Sequence, residues 1–218
     1  MKKIITLKKD AVQQPTISVC ELSPGARQFI VSIDGAIDES IYYAQLVHVL
    51  RTATEKDIIM ICINTPGGCT TSGVMLISAI RTCKAVVHTH VVGNAFSCGA
   101  YIWGNGHVRT MGKYAQIMFH TSSHSDSGKT RDIKEASDMY EKMVVELIDE
   151  LIEKQVLTEE DKHFMLVQKR DLFLYHNDFV TRYADKPGFS SGEITELRKN
   201  LIGSLSGEPT AQTEEANA

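Results

Sequence analysis

The chain has 218 residues, 43% of them hydrophobic and 23% charged, with a formal net charge of −4. That length suits one domain with short appendages and a sizeable core, and the mild negative charge supplies no broad basic field for nucleic acid. No run of about 18 apolar residues is present to span a membrane.

Met1 to Asp10 is charged at both ends with a short apolar centre, less than a signal peptide requires. Five cysteines (Cys20, Cys62, Cys69, Cys83 and Cys98) are odd in number and lack CxxC spacing. This argues against a disulfide framework or a zinc site and for a reducing compartment, with the cytoplasm expected.

Residues 1–27, broken by Pro15, Pro24 and Gly25, read as an irregular N-terminal arm. Phe29 to Gly35 predicts a buried strand ended by a turn, and Glu39 to Thr54 carries Ile41, Leu46, Val49 and Leu50 at helical spacing. Ile58 to Ile63 is a continuous apolar run, the pattern of a strand covered on both faces. A Gly-rich turn and a helix from Val74 to Ile80 follow. The unit then repeats: strand Ala85 to Val92, turn Gly93 to Ser97, helix start Cys98 to Trp103, and a short strand Gln116 to Phe119. Strands alternating with helices at this spacing predict an α/β fold with βαβ crossovers.

Thr121 to Arg131 is polar and Ser-rich. Asp132 to Lys154 is the clearest amphipathic helix, long enough to project and to pack on another subunit. Thr158-Glu159-Glu160-Asp161 reads as an N-cap with an acidic first turn. Residues 207–218 are small and polar, a predicted disordered tail.

Four places carry candidate chemistry. In Gly93 to Ala100, Ser97 sits among small residues between a strand and a helix. That exposes a hydroxyl and leaves the following N–H groups at a helix start, where an oxyanion is stabilised. A Gly/Ser-rich turn with no catalytic part fits the same letters. Asn64-Thr65-Pro66-Gly67-Gly68 follows a buried strand. Its glycines either turn N–H groups toward a ligand or only permit a tight turn, and no Lys-Ser or Lys-Thr pair makes it a P-loop. His120 ends a strand, where a general base has access to a serine, although most of the eight histidines will be ordinary side chains. Asp171 opens the apolar segment Leu172-Phe173-Leu174, a place equally suited to a cap or an ion-pair member.

Taken in order, Ile63 to Gly68, Gly93 to Ala100, Met118-Phe119-His120 and Arg170 to Leu174 resemble the ClpP family, the peptidase of the ATP-dependent Clp protease. A weaker match at Phe29 to Asp38 extends the resemblance to about residues 29–185. It implies a crotonase-like (ClpP-like) α/β fold of stacked βαβ units over residues 28–206, with Asp132 to Lys154 as a projecting handle helix. It also implies a Ser97–His120–Asp171 triad, an oxyanion hole from the N–H groups of Gly68 and Cys98, and no metal or organic cofactor. The expected activity is endopeptidase cleavage of unfolded polypeptides inside a homo-oligomeric chamber. Two heptameric rings would stack into a tetradecamer, fed by an AAA+ ATPase unfoldase.

The chain departs from the family in its N-terminal arm, at Met60 and Cys62 (usually aromatic), in the Thr121-Ser122-Ser123-His124 loop, and at Lys169, where an acid is common. Such divergence points to a phage-borne or accessory member. Two other functions stay open at this stage. One is a catalytically silent ring subunit. The other is an acyl-CoA hydratase or isomerase using paired glycine N–H groups on the same fold.

Overall fold

The computed structural model describes residues 15–121 and 130–206. The arm up to residue 14, the polar loop at 122–129 and the predicted tail at 207–218 lie outside the described residues. The strands are β1 (Thr16–Ser23), β2 (Ala26–Asp34), β3 (Ile58–Thr65), β4 (Val86–Phe96), β5 (Val108–Met111), β6 (Gln116–Phe119) and β7 (Leu172–Tyr175). The helices are α1 (Ala44–Thr52), α2 (Thr70–Arg81), α3 (Cys98–Gly104), α4 (Thr130–Glu153), α5 (Glu159–Leu166), α6 (His176–Tyr183) and α7 (Ser191–Ser206), with a 3₁₀ turn at Ser40–Tyr43 before α1.

Seven strands form one sheet in the order β1-β2-β3-β4-β6-β7, with β5 also paired to β4. The centre is parallel, β2 to β3 to β4, and β4 pairs in parallel with both β5 and β6. Among the described residues, only the outer pairs β1–β2 and β6–β7 are antiparallel. Alternate residues of a strand share a face. Val31 and Ile33, Ile59, Ile61 and Ile63, and Val87 and Val91 form one wholly buried face, packed in a single core with Leu46, Leu50, Leu76, Ile80 and Trp103. Burying each such side chain contributes about 1.5–3 kcal/mol.

The other face differs from the expectation of a strand covered on both sides. Met60 and Cys62 are half-buried, and Ile30 and Val92 are 39% and 56% exposed. An apolar run in a strand records the residues available for burial; only the neighbouring elements decide which face receives cover.

The first strand also departs from the irregular reading of residues 1–27. Ser23 pairs with Ala26 across Pro24-Gly25, and Gly25 has φ +80. Proline followed by a residue at positive φ is turn chemistry, so the two breakers close a hairpin and let β1 pair along β2.

α4 spans 24 residues, about 36 Å at 1.5 Å per residue. Val144, Ile148 and Leu151 in its second half are buried, whereas Met139 is 58% exposed. The helix is therefore anchored at its C-terminal end, where Leu151 lies over Gly104: a methyl group at Gly104 would sit 2.8 Å from Leu151 Cδ2. Thr158 caps α5 in a capping box with Asp161, as the acidic first turn predicts. Among the described residues, no helix is long and apolar enough to cross a membrane.

Candidate active site

β4 runs through the middle of the sheet and ends at Phe96, and α3 begins at Cys98. Ser97 is the single residue between them, with φ 55 and ψ −128. A non-glycine residue in this region carries strain of about 1–3 kcal/mol that its surroundings must hold. Both of its backbone groups are tied: the Ser97 N–H donates to Met118 O at 2.9 Å, and the Ser97 carbonyl accepts from Ala100 N–H at 2.9 Å. A sharp bend anchored at both ends holds the hydroxyl at the C-terminal end of the central strand β4.

His120 follows β6, which pairs in parallel with the last residues of β4. Its Nε2 lies 2.7 Å from Ser97 Oγ, the separation of a strong hydrogen bond. Tyr101, fully buried in α3, donates its hydroxyl to the His120 carbonyl at 3.0 Å, and its ring meets Phe119 edge-on at 5.4 Å. The backbone that carries the imidazole is thus fixed from the helix that begins just after Ser97.

Asp171 stands immediately before β7. The antiparallel register of β6 and β7 ends at Phe119↔Leu172, so His120 and Asp171 each adjoin the last residue pair of this ladder. Asp171 is exposed, and no hydrogen bond joins it to His120 among the described residues. The other acids of this region are engaged elsewhere. Asp161 caps α5 and pairs with Arg182, and Asp178 accepts from the Tyr175 N–H at 2.9 Å at the start of α6.

Gly67 and Gly68 follow β3 and pair with Ile37: Ile37 N–H donates to Gly67 O at 2.8 Å, and Cys69 N–H donates to Ile37 O at 2.7 Å. In that pattern the N–H of Gly68 points away from Ile37. Both glycines are required here. Gly67 has φ +96, and a methyl group on it would lie 2.5 Å from Ser97 Cβ; Gly68 has φ +144, and a methyl group there would lie 2.1 Å from Ile37 O. The Pro66 to Cys69 segment therefore passes directly against the serine turn. Cys98, as the first residue of α3, has an N–H with no intrahelical acceptor. Gly67 thus lies against Ser97, and Cys98 adjoins it in the chain at the start of α3.

A family model for Clp protease matches residues 22–181. The chain belongs to the Clp protease family. The ATP-dependent Clp protease proteolytic subunit of Borrelia garinii subsp. bavariensis is 28% identical over 158 residues, covering 70% of this chain and 79% of that protein. The ATP-dependent Clp protease proteolytic subunit 1 of Borreliella burgdorferi is similar to the same degree, 28% over 158 residues, with 70% and 79% covered.

The central parallel sheet with its flanking helices agrees with the Clp protease fold expected from the sequence resemblance, and membership of this family supports peptidase activity. Two features of the site had no sequence signal. Ile37, the strand partner of the glycine turn, and Tyr101, the anchor of His120, act only through contacts across the fold. Lys169, one of the departures from the family pattern, has φ 52 and pairs within the chain with Glu141 of α4 at 3.3 Å.

The two cysteines beside the site differ in character. Burial, the dominant influence, pushes the Cys98 thiol up to about 11, with the Gly68 N–H directed at its sulfur. Burial also raises the Cys69 thiol, but contacts from Ser72 and Thr71 at the start of α2 outweigh that and lower it below the ordinary thiol range.

Proposed function

We propose that the chain is a serine endopeptidase with Ser97 as nucleophile, His120 as general base and Asp171 as orienting acid. The observation that carries this reading is the 2.7 Å contact between Ser97 Oγ and His120 Nε2 at a strained strand-to-helix turn. Ser97 Oγ attacks the peptide carbonyl carbon as His120 Nε2 takes its proton. The carbonyl oxygen becomes an oxyanion between the N–H groups of Gly68 and Cys98, whose preorganised dipoles lower the barrier. His120 then passes its proton to the leaving amine, the C–N bond breaks, and an acyl-Ser97 ester remains. Water activated by the same imidazole hydrolyses the ester and restores the hydroxyl.

Asp171 supports the tautomer with the proton on Nδ1, which leaves Nε2 free as a base. Asp171 makes no hydrogen bond to the imidazole here, and catalytic hydrogen bonds of this kind often tighten only in the complex with substrate.

The family relationship extends the reading to heptameric rings, stacked as a tetradecamer with α4 between them, in the cytoplasm. Unfolded polypeptides would enter the chamber, delivered by an AAA+ ATPase. Met139, an exposed apolar residue in the first half of α4, supports a partner surface there.

A second reading, a ring subunit that does not cut, draws on the lack of a hydrogen bond between Asp171 and His120. A fluorophosphonate probe separates the two. Modification of Ser97, located by peptide mass mapping, is expected of the peptidase; an unmodified chain in assembled rings would establish the silent subunit instead.

A further inference from the structure

Asn64 begins the Asn64-Thr65-Pro66-Gly67-Gly68 turn, and the proposed chemistry gives it no part. β3 and β4 pair one-to-one from Ile58↔Val86 to Ile63↔Val91, and the pairing resumes at Thr65↔Ala95. One residue of β3, Asn64, therefore faces three of β4, Val92, Gly93 and Asn94. This is a bulge, which bends a strand and leaves ladder groups unpaired. It falls where β4 changes partner. The last pair with β5 is Val91↔Met111, and the first with β6 is Asn94↔Gln116. Three residues beyond Asn94 lies Ser97.

The Asn64 side chain takes up the bulge. Its Oδ1 accepts from the Asn94 N–H at 3.1 Å, and its Nδ2 donates to Asp34 Oδ1 at 2.7 Å. A carboxylate only accepts, so Asp34 holds the amide with its nitrogen toward β2 and its oxygen toward β4. Gly93 leaves room for this: a methyl group there would lie 2.4 Å from Asn64 Oδ1. These groups are exposed and fill no core, which leaves the direction of β4 as the property they control.

We propose that Asn64, oriented by Asp34, is a positioning residue for Ser97, gripping the bulge that aims β4 into the serine turn. The proposal rests on the peptidase reading and adds the cause of the serine's placement. Without the amide, the Asn94 N–H turns to water and the bulge takes other shapes, so the fraction of molecules with Ser97 in line with His120 falls.

The test follows the rate of Ser97 phosphonylation by a fluorophosphonate in the full chain, with thermal unfolding monitored through Trp103. Asn64→Ala is expected to slow labelling about tenfold or more, since a misplacement of about 1 Å costs up to about 10²-fold, with little change in Tm. Asn64→Asp, equal in size, sets two carboxylates together and is also expected to be slow. The double exchange Asp34→Asn with Asn64→Asp restores a donor toward an acceptor, keeps an oxygen for Asn94, and is expected to recover most of the rate. A role in filling space alone would give no such rescue. Labelling of Asn64→Ala at the unsubstituted rate, or a double exchange as slow as Asn64→Asp, overturns the proposal while leaving the peptidase reading intact. If Asn64→Ala fails to fold, the isosteric pair decides by the same comparison. No labelling of the unsubstituted chain overturns the peptidase reading, and this inference with it.

Discussion

His120 Nε2 lies 2.7 Å from Ser97 Oγ across 23 residues of sequence, and the link that brings them together is the Ser97 N–H donating to Met118 O. The serine turn is hydrogen-bonded to the strand that carries the histidine, so base and nucleophile share one piece of sheet. Ser97→Ala removes a single oxygen from this arrangement. Hydrolysis of small peptide esters is expected to fall by orders of magnitude, leaving at most the roughly 10³–10⁴-fold residual over water that binding and an oxyanion hole supply. Tm and sedimentation should stay as in the unsubstituted chain; equal turnover by the two proteins would remove Ser97 from the nucleophile's role.

Asp171→Asn tests the third member of the triad. An amide favours the wrong imidazole tautomer, and kcat is expected to fall about 10⁴-fold with KM little changed. Asp161→Asn and Asp178→Asn disturb helix caps instead, so Asp178→Asn should cost about 1 kcal/mol of stability, Asp161→Asn more because it also weakens the largely buried ion pair with Arg182, and both should leave kcat near its original value. A fully active Asp171→Asn protein would reduce the site to a Ser97–His120 dyad. Loss of turnover in Asp161→Asn or Asp178→Asn alone would move the third role there.

Asp57 sets an acid limit on stability. Its carboxylate is wholly buried; burial alone would raise its pKa, but hydrogen bonds from Arg27 and Thr54 outweigh that and lower it to about 2. With the folded value below the unfolded value of about 3.9, the native state binds fewer protons between the two. The contribution is complete above about pH 4 and is lost as pH falls toward about 2. Asp57→Asn should cost about 2 kcal/mol at neutral pH, and its deficit in urea unfolding should shrink steadily below pH 4. A deficit that stays constant with pH would mean the carboxylate charge is not what stabilises this corner.

Thiol alkylation should separate the cysteines. Cys69 is partly exposed with a lowered pKa, while Cys98 is buried and held near 11. Iodoacetamide at neutral pH is expected to modify Cys69 well before Cys98, because the thiolate is the reacting form. Peptide mapping with Cys98 modified first would contradict this ordering.

Assembly should depend on the part of α4 around the exposed Met139. The native chain is expected to sediment as a tetradecamer, and Met139→Glu, which puts a charge on that exposed apolar position, should shift it toward smaller species. A monomer at micromolar concentration in the unsubstituted chain would exclude the chamber.

The strand–turn–helix units, the strand at Ile58 to Ile63, the long helix and the Thr158 cap were legible in the amino-acid sequence because each is a local pattern. Apolar period, glycine placement and capping chemistry act within a few residues. The same holds for Ser97 at the junction of strand and helix. Strands β1, β5 and β7 were not read as strands: β1 is a half-buried mixture that becomes a strand by pairing with β2, β5 takes form by pairing with β4, and the apolar Leu172-Phe173-Leu174 segment becomes β7 by pairing with β6. What only the tertiary structure decided is the meeting of distant groups. That Ser97 reaches His120 follows from β4 leaving β5 for β6 at a two-residue bulge, and that Gly67 lies against Ser97 follows from the path of the turn after β3. A change of partner of that kind is a balance of hydrogen bonds between segments far apart in the chain, so no local run of residues records it.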